Sequence, residues 1–286
     1  MAGVVEAVGS EVRRVRVGDR ITMPFVLGCG ACRMCSGGNQ HLCDRQYQPG
    51  FDGWGAFAEF VSVPYADVNA VPLPDEMEFT TAAGLGCRFA TAFRAVVDQG
   101  GVGPGSTVAV WGCGGVGLSA VMIAAALGAD VFAVDIDPAA LQFARRFGAG
   151  TVLDATDGDV AQQIRRATGG GVDVSLDALG STATAIASIR SLRKRGRHIQ
   201  VGLMIGEDAK PVIPMWRLHA NEIELHGSHG MQAWRYPEML DMVASGRVDP
   251  SALVTERIDL TRGAEILTEM ADFPGTGFIV IDDFGH

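Results

Sequence analysis

No run of basic residues longer than Arg193-Lys194-Arg195 occurs in this 286-residue chain, whose formal net charge is -10. Nucleic acid and anionic lipid need clustered cations, so neither is an expected partner and small molecules are favoured; the short basic run is expected to be a solvated helix end. Nor is any apolar run clean over the length of a bilayer. The most apolar stretch, 117–134, is interrupted by Gly128 and Asp130 near one end and reads as a buried helix followed by a strand. No secretory apolar core follows Met1, because Glu6 arrives before one could form, and no targeting signal is visible, so the cytoplasm is the expected compartment and disulfides are disfavoured there. The 38 glycines follow no collagen-like or low-complexity period and cluster at turn-like positions instead. With 48% hydrophobic and 20% charged residues, the composition is that of a globular chain with one large domain or two.

Of the six cysteines, four form one cluster, Cys29-x2-Cys32-x2-Cys35-x7-Cys43, with Gly28, Gly30, Gly37 and Gly38 around it. Zinc takes soft thiolates tetrahedrally, and this spacing lets a short lobe close around one ion. Two disulfides conflict with the expected compartment. An iron–sulfur cluster conflicts with the long third gap and with the lack of a proline after Cys43. The spacing therefore points to a closed, four-thiolate zinc site.

Short apolar runs broken by Gly, Pro and Asp fill the first part of the chain, with strands expected at 3–8, 19–24, 57–63 and 68–72 and the cysteine lobe inserted among them. From about residue 88 strands alternate with helices. Strands are expected at 107–111, 131–135, 151–153, 172–178, 198–201 and 223–226, with helices at 116–127, 138–147, 160–168 and 182–192. Asp137 is the expected N-cap of the second helix, Pro138 its first residue and Gly148 its end. Six strands with intervening helices predict an α/β fold with a doubly wound sheet.

Between the first of these strands and its helix lie Gly112, Gly114 and Gly117 in a G-x-G-x-x-G pattern. In that setting the first glycine permits a tight turn, the second lets a pyrophosphate approach the backbone, and the third lets helix and strand pack closely. Asp135 ends the next strand eighteen residues after Gly117, where a carboxylate can accept hydrogen bonds from an adenosine ribose and repel a 2′-phosphate. NAD is thus expected over NADP.

Together these motifs, with the segments 3–12, 17–20 and 55–59, Cys87 and Gly105, resemble the zinc-dependent medium-chain alcohol dehydrogenases over nearly the whole chain. The resemblance implies a partial GroES-like catalytic domain over 1–87 with its zinc lobe at 29–43, an NAD-binding Rossmann domain over 88–230, and a C-terminal segment, 231–286, returning to the catalytic domain. It implies structural zinc on Cys29, Cys32, Cys35 and Cys43. Cys87 is implied as one ligand of a catalytic zinc. The dinucleotide is assigned to Gly112, Gly114, Gly115, Val116, Gly117 and Asp135, with Val201, Gly202 and Leu203 by the nicotinamide. The implied reaction is NAD-linked hydride transfer from a primary or secondary alcohol to give an aldehyde or ketone, in a homodimer or homotetramer.

One thiolate cannot hold a catalytic zinc, and the family's Gly-His-Glu motif normally stands just before the segment that begins here at Met1. Catalysis is therefore expected to depend on ligands upstream of Met1, with a non-catalytic NAD- and zinc-binding remnant as the alternative. His41 lies in the cysteine lobe, His198 and His226 fall on expected strands, and His219, His229 and His286 lack ligand spacing, so each is expected to be a surface, core or subunit-contact residue. The apolar segment 277–281 is expected either to form a subunit contact or to complete a sheet.

Overall fold

A computed structural model describes residues 1–269 and 275–285, leaving His286 outside the described residues. The chain divides into two compact units, the first comprising Met1–Ala90 and His229–His286, the second Thr91–Ser228.

In the first unit, strands β1 (Ala2–Val4), β2 (Arg20–Thr22) and β3 (Val71–Pro72) pair antiparallel in that order. Gly3 faces Ile21, and Ile21 faces Pro72. Beyond β1 the pairing continues through Val5 N–H to the Asp19 carbonyl at 2.9 Å. Two expectations are corrected. Residues 57–63 form no strand: they run through bends with Phe57 and Phe60 exposed, and no partner strand lies beside them among the described residues. A short apolar run alone does not make a strand when its backbone groups find nothing to pair with. Val68 and Asn69 belong instead to a one-turn helix, Ala66–Asn69, entered through Tyr65 in the left-handed region (φ 53°), so the strand shrinks to β3. The helical segment Phe79–Gly84 and the π-helical turn Leu85–Phe89 were not anticipated by the sequence pattern.

The second unit is built on six parallel strands: β4 (Thr107–Trp111), β5 (Asp130–Asp135), β6 (Thr151–Asp154), β7 (Val172–Asp177), β8 (Leu192–Gln200) and β9 (Glu224–Gly227). Their order is β6-β5-β4-β7-β8-β9. The order reverses at β4, which makes the carboxyl end of that strand the switch point at which such sheets bind ligands. Val108, Ala109 and Val110 of β4 are fully buried, as a strand covered on both faces requires. Asp137 caps the helix Pro138–Arg146 by accepting from Ala139 N–H at 2.9 Å, as expected. Trp111, Phe132, Val134, Ile164 and Leu192 form a core on one face of the sheet. The basic run is not a helix end. Arg193, Lys194 and Arg195 lie in β8, where the register jumps from Val172↔Leu192 to Val174↔Arg197 and bulges the intervening residues outward. The run is exposed, and Arg193 pairs with Asp173.

Back in the first unit, β10 (Val254–Asp259) and β11 (Phe278–Asp283) pair in parallel, with the helix Leu260–Glu269 following β10. Segment 277–281 thus contributes to a two-stranded sheet. No helix among the described residues is long and apolar enough to cross a membrane.

Candidate metal centre and nucleotide loop

The cysteine lobe sits between Gly28 and Arg45. Cys32 caps the single-turn helix Arg33–Ser36, placing Cys35 one turn along, and Cys43 ends a short 3-10 turn, Gln40–Leu42. The four sulfurs all lie within 4.8 Å of one another, and no other group of three or more metal-ligating side chains converges this way among the described residues. A tetrahedron with zinc–sulfur bonds of ~2.3 Å has sulfurs ~3.8 Å apart, and Cys32 Sγ and Cys43 Sγ are 3.8 Å apart. The cluster therefore fits zinc in both donor chemistry and size.

The surroundings favour thiolates at part of the site. Cys29 Sγ accepts from Ala31 N–H (3.5 Å) and from the Arg45 guanidinium (3.4 Å). Cys43 Sγ accepts from Arg45 N–H (3.2 Å) and Cys29 N–H (3.3 Å). The Ala31 bond, first among several, lowers the Cys29 thiol to about 6, and the Cys35 N–H lowers Cys32. Burial pushes Cys35 up to about 12 and raises Cys43. A divalent cation supplies what the two raised thiols lack, since it ionises coordinating sulfur outright. Arg45 was not picked out from the sequence; its guanidinium offsets the negative charge that four thiolates carry beyond one divalent cation.

Asn69 was also missed. Fully buried, it accepts from Gly28 N–H (2.8 Å) and donates to the Gly28 carbonyl (2.9 Å), with Pro64 and Tyr65 carbonyls at 3.2 and 3.1 Å. Its amide thus pairs with the entrance of the lobe as another strand would. Asn69→Leu leaves both Gly28 groups buried without partners and is expected to cost roughly 2–4 kcal/mol, read as a lower urea midpoint at constant zinc content.

In the second unit the glycine loop follows β4. Gly112 has φ +91°, a left-handed conformation that side chains rarely adopt. A Cβ on Gly117 would stand 1.8 Å from the Gly112 carbonyl oxygen, so helix and strand meet there only through a glycine. A Cβ on Gly114 would meet nothing within 4 Å, so open space lies over the loop where the helix Gly115–Ala126 begins. Gly115 and Val116 are in its first turn, whose N–H groups have no carbonyl four residues earlier within the helix.

Asp135 ends β5 beside this loop, and its carboxylate accepts from Cys113 N–H (2.5 Å) and Asp137 N–H (2.9 Å). It therefore fastens the glycine loop to the neighbouring strand, a task the motif alone did not suggest. A carboxylate has about four lone-pair sites, so capacity for a diol remains. Cys113 is fully buried, its thiol pushed up by burial and by Asp135.

Val201, Gly202 and Leu203 follow β8, with Leu203 exposed. Cys87 lies in the turn Leu85–Phe89 and is open to solvent, while the protein packed behind it raises its thiol. It belongs to no converging group of metal ligands among the described residues. His198 is on β8 and His226 on β9, where His226 pairs with Glu224 at 3.0 Å; His41 is buried in the lobe, His219 lies in the helix Met215–Asn221, and His229 stacks edge-on to Phe25 at 5.3 Å.

Comparison with known proteins gives concordant results. Residues 1–75 match the alcohol dehydrogenase GroES-like domain and 115–245 the zinc-binding dehydrogenase family. An alcohol dehydrogenase of Geobacillus stearothermophilus is 34% identical over 247 residues, covering 86% of this chain and 71% of that protein. A sorbitol dehydrogenase of Bacillus subtilis (strain 168) is 32% identical, covering 95% and 76% respectively. The crystal structure of an NAD-dependent alcohol dehydrogenase superposes with a TM-score of 0.88 at 29% identity, covering 99% of this chain and 81% of that one.

Proposed function

The chain belongs to the zinc-dependent medium-chain alcohol dehydrogenases, and from that premise we propose that it binds NAD on its second unit for hydride transfer between a primary or secondary alcohol and the corresponding aldehyde or ketone. The observation that carries this reading is the glycine loop, closed at Gly117, open at Gly114 and tied to Asp135 at the switch point of the sheet. The pyrophosphate is assigned to Gly112, Gly114, Gly115, Val116 and Gly117, where backbone N–H groups and the helix dipole favour an anion. Asp135 takes the adenosine ribose. Val201, Gly202 and Leu203 take the nicotinamide end, because adenosine over β5 sends the other half of the dinucleotide across β4 toward β7 and β8.

Structural zinc is assigned to Cys29, Cys32, Cys35 and Cys43, whose closed thiolate shell leaves no position for substrate. A catalytic zinc in this family polarises the alcohol oxygen as a Lewis acid, and Cys87 is its assigned ligand here. Since no second ligand converges on Cys87 among the described residues, a second reading is NAD and zinc binding without turnover. The two are separated by zinc per chain and alcohol-dependent NADH formation: two zincs with turnover support the enzyme, one zinc with NADH binding and no turnover supports the alternative. Absence of NADH binding sinks both. The assigned partners are the small-molecule substrate and further copies of the chain; light scattering is expected to give the mass of a dimer or tetramer, and a monomer contradicts that part of the reading.

Asp135 also predicts cofactor choice. The native chain is expected to bind NADH more tightly than NADPH, because a 2′-phosphate would meet the carboxylate. Asp135→Asn keeps a side-chain acceptor without the charge and is expected to narrow the ratio of dissociation constants by about tenfold, ~1.4 kcal/mol.

A further inference from the structure

Beneath the carboxyl end of the sheet in the second unit runs a line of buried polar side chains that no motif announces. Trp111 Nε1 lies 3.1 Å from Ser175 Oγ, Ser175 Oγ 2.7 Å from Ser188 Oγ, and Ser188 Oγ 2.8 Å from His198 Nδ1. His198 Nε2 is 3.1 Å from Gln200 Oε1, and Gln200 Nε2 is 2.9 Å from both Asp177 Oδ2 and the Gly202 carbonyl. Ser175, Ser188 and Asp177 are fully buried, His198 nearly so.

The two ends determine the direction of every bond. An indole N–H only donates and a carboxylate only accepts. Both Gln200 N–H groups are taken by Asp177 and Gly202, so its oxygen accepts and His198 Nε2 carries the proton. Nδ1 then accepts from Ser188, whose oxygen accepts from Ser175, whose oxygen accepts from Trp111. Burial lowers the pKa of His198, so the ring is neutral at neutral pH, as this arrangement requires. Ser191 Oγ lies 2.7 Å from the Ser188 carbonyl and 3.2 Å from Ser175 Oγ; its single proton goes to one of these two acceptors, which leaves the direction along the line unaltered.

At its far end the chain grips two turns. Asp177 Oδ1 accepts from Leu179 N–H (2.9 Å), Gly180 N–H (3.0 Å) and the Thr184 hydroxyl (3.2 Å), while its backbone carbonyl accepts from Val201 (3.0 Å) and Gly202 (2.8 Å). The turns are in contact: a Cβ on Gly202 would lie 2.2 Å from Gly180 N. Gln200 binds both of them, through Asp177 to the turn after β7 and through the Gly202 carbonyl to the turn after β8.

We infer that Gln200, held by Asp177 and His198, is a positioning residue that sets the spacing of turns 178–181 and 201–203 for the nicotinamide half of the dinucleotide. The inference rests on the dinucleotide reading above. A clamp of this kind acts on one half of the ligand only. Adenosine is assigned to Asp135 on β5, across β4 from both turns. Gly112 of the glycine loop does meet the turn after β7, where a Cβ would stand 3.2 Å from Leu179 N. AMP, however, carries only the phosphate next to adenosine, so the clamp should matter for NADH and not for AMP.

The test is to titrate the wild-type chain and Gln200→Met, which keeps the volume but removes the amide, with NADH and with AMP, following protein fluorescence. NADH is expected to bind about tenfold more weakly to the variant, ~1.4 kcal/mol, with AMP affinity unchanged. Equal weakening of both ligands, or of neither, overturns the clamp. Failure of the wild-type chain to bind NADH overturns the dinucleotide reading and this inference with it. Gln200→Asn retains an amide one methylene too short to span from His198 to Gly202, and is expected to show the same split should the methionine variant misfold. Independently of any variant, nitrogen NMR of the wild-type chain is expected to show His198 protonated at Nε2; protonation at Nδ1 contradicts the chain of donors.

Discussion

Cys35→Ser is expected to release zinc from the lobe and to destabilise the first unit by on the order of 4 kcal/mol. Cys35 is 4% exposed, and burial holds its thiol up at about 12 without a metal, so the site in its apo form contains a protonated sulfur where the holo form has a thiolate. A serine hydroxyl is a harder, neutral donor that zinc does not accept in such a shell. With three sulfurs left, Arg45 faces a site with one negative charge fewer and no ion to organise it. The lobe itself has only one helical turn and a 3-10 turn between its cysteines, too little regular structure to persist without a central ion. Zinc analysis and a thermal melt on the same sample check the outcome: full zinc content with an unchanged melting temperature contradicts the structural role.

The second large effect lies in the glycine loop, where two alanine substitutions are expected to fail differently. Gly117→Ala drives a methyl group to 1.8 Å from the Gly112 carbonyl, a separation no rotamer can relieve because both atoms are fixed by backbone. Helix and strand must move apart, and stability and NADH binding should fall together, the latter by at least about a hundredfold, ~2.7 kcal/mol. Gly114→Ala meets nothing within 4 Å and has φ -75°, which alanine adopts freely. It should fold with an unchanged melting temperature and still lose NADH binding, because its methyl group occupies the space assigned to the pyrophosphate. Stability loss at both positions, or at neither, is incompatible with a loop shaped for a ligand.

The sheet of the second unit was legible because its central strands β4 and β5 are buried and read as nearly unbroken apolar runs, while glycine and capped helices punctuate the sequence around them. Val108 to Val110 and Asp137 are typical: each carries its own local signal. The first unit was less legible for the same reason reversed. Residues 57–63 are a short apolar run of strand length, yet such a run speaks of side chains and pairing speaks of backbone, and only the second makes a ladder. The stretch 79–89 holds Gly84 and Gly86, which weaken any helical reading, yet it folds as a helix and a π-turn. The convergence of the four cysteines was legible because their spacing is local in sequence, and the cluster they form is one that could hold a metal ion. Asn69, Arg45 and the line from Trp111 to Asp177 were not, since partners lie up to 64 residues apart in the chain and are brought together only in space.

The division of the chain has a kinetic meaning. The nucleotide-binding unit is one uninterrupted stretch, Thr91–Ser228, whereas the first unit needs residues from both sides of it. During synthesis the inner unit has its whole sequence outside the ribosome while the first unit still awaits β10 and β11. Arg88, whose guanidinium lies 5.5 Å from the Phe278 ring, waits 190 residues for that partner. The cysteine lobe needs no such delay, since its four converging sulfurs all emerge between Cys29 and Cys43. Metal capture is thus expected as an early event and closure of the first unit as the last, which makes the returning C-terminal segment the step at which a nascent chain is most exposed to aggregation.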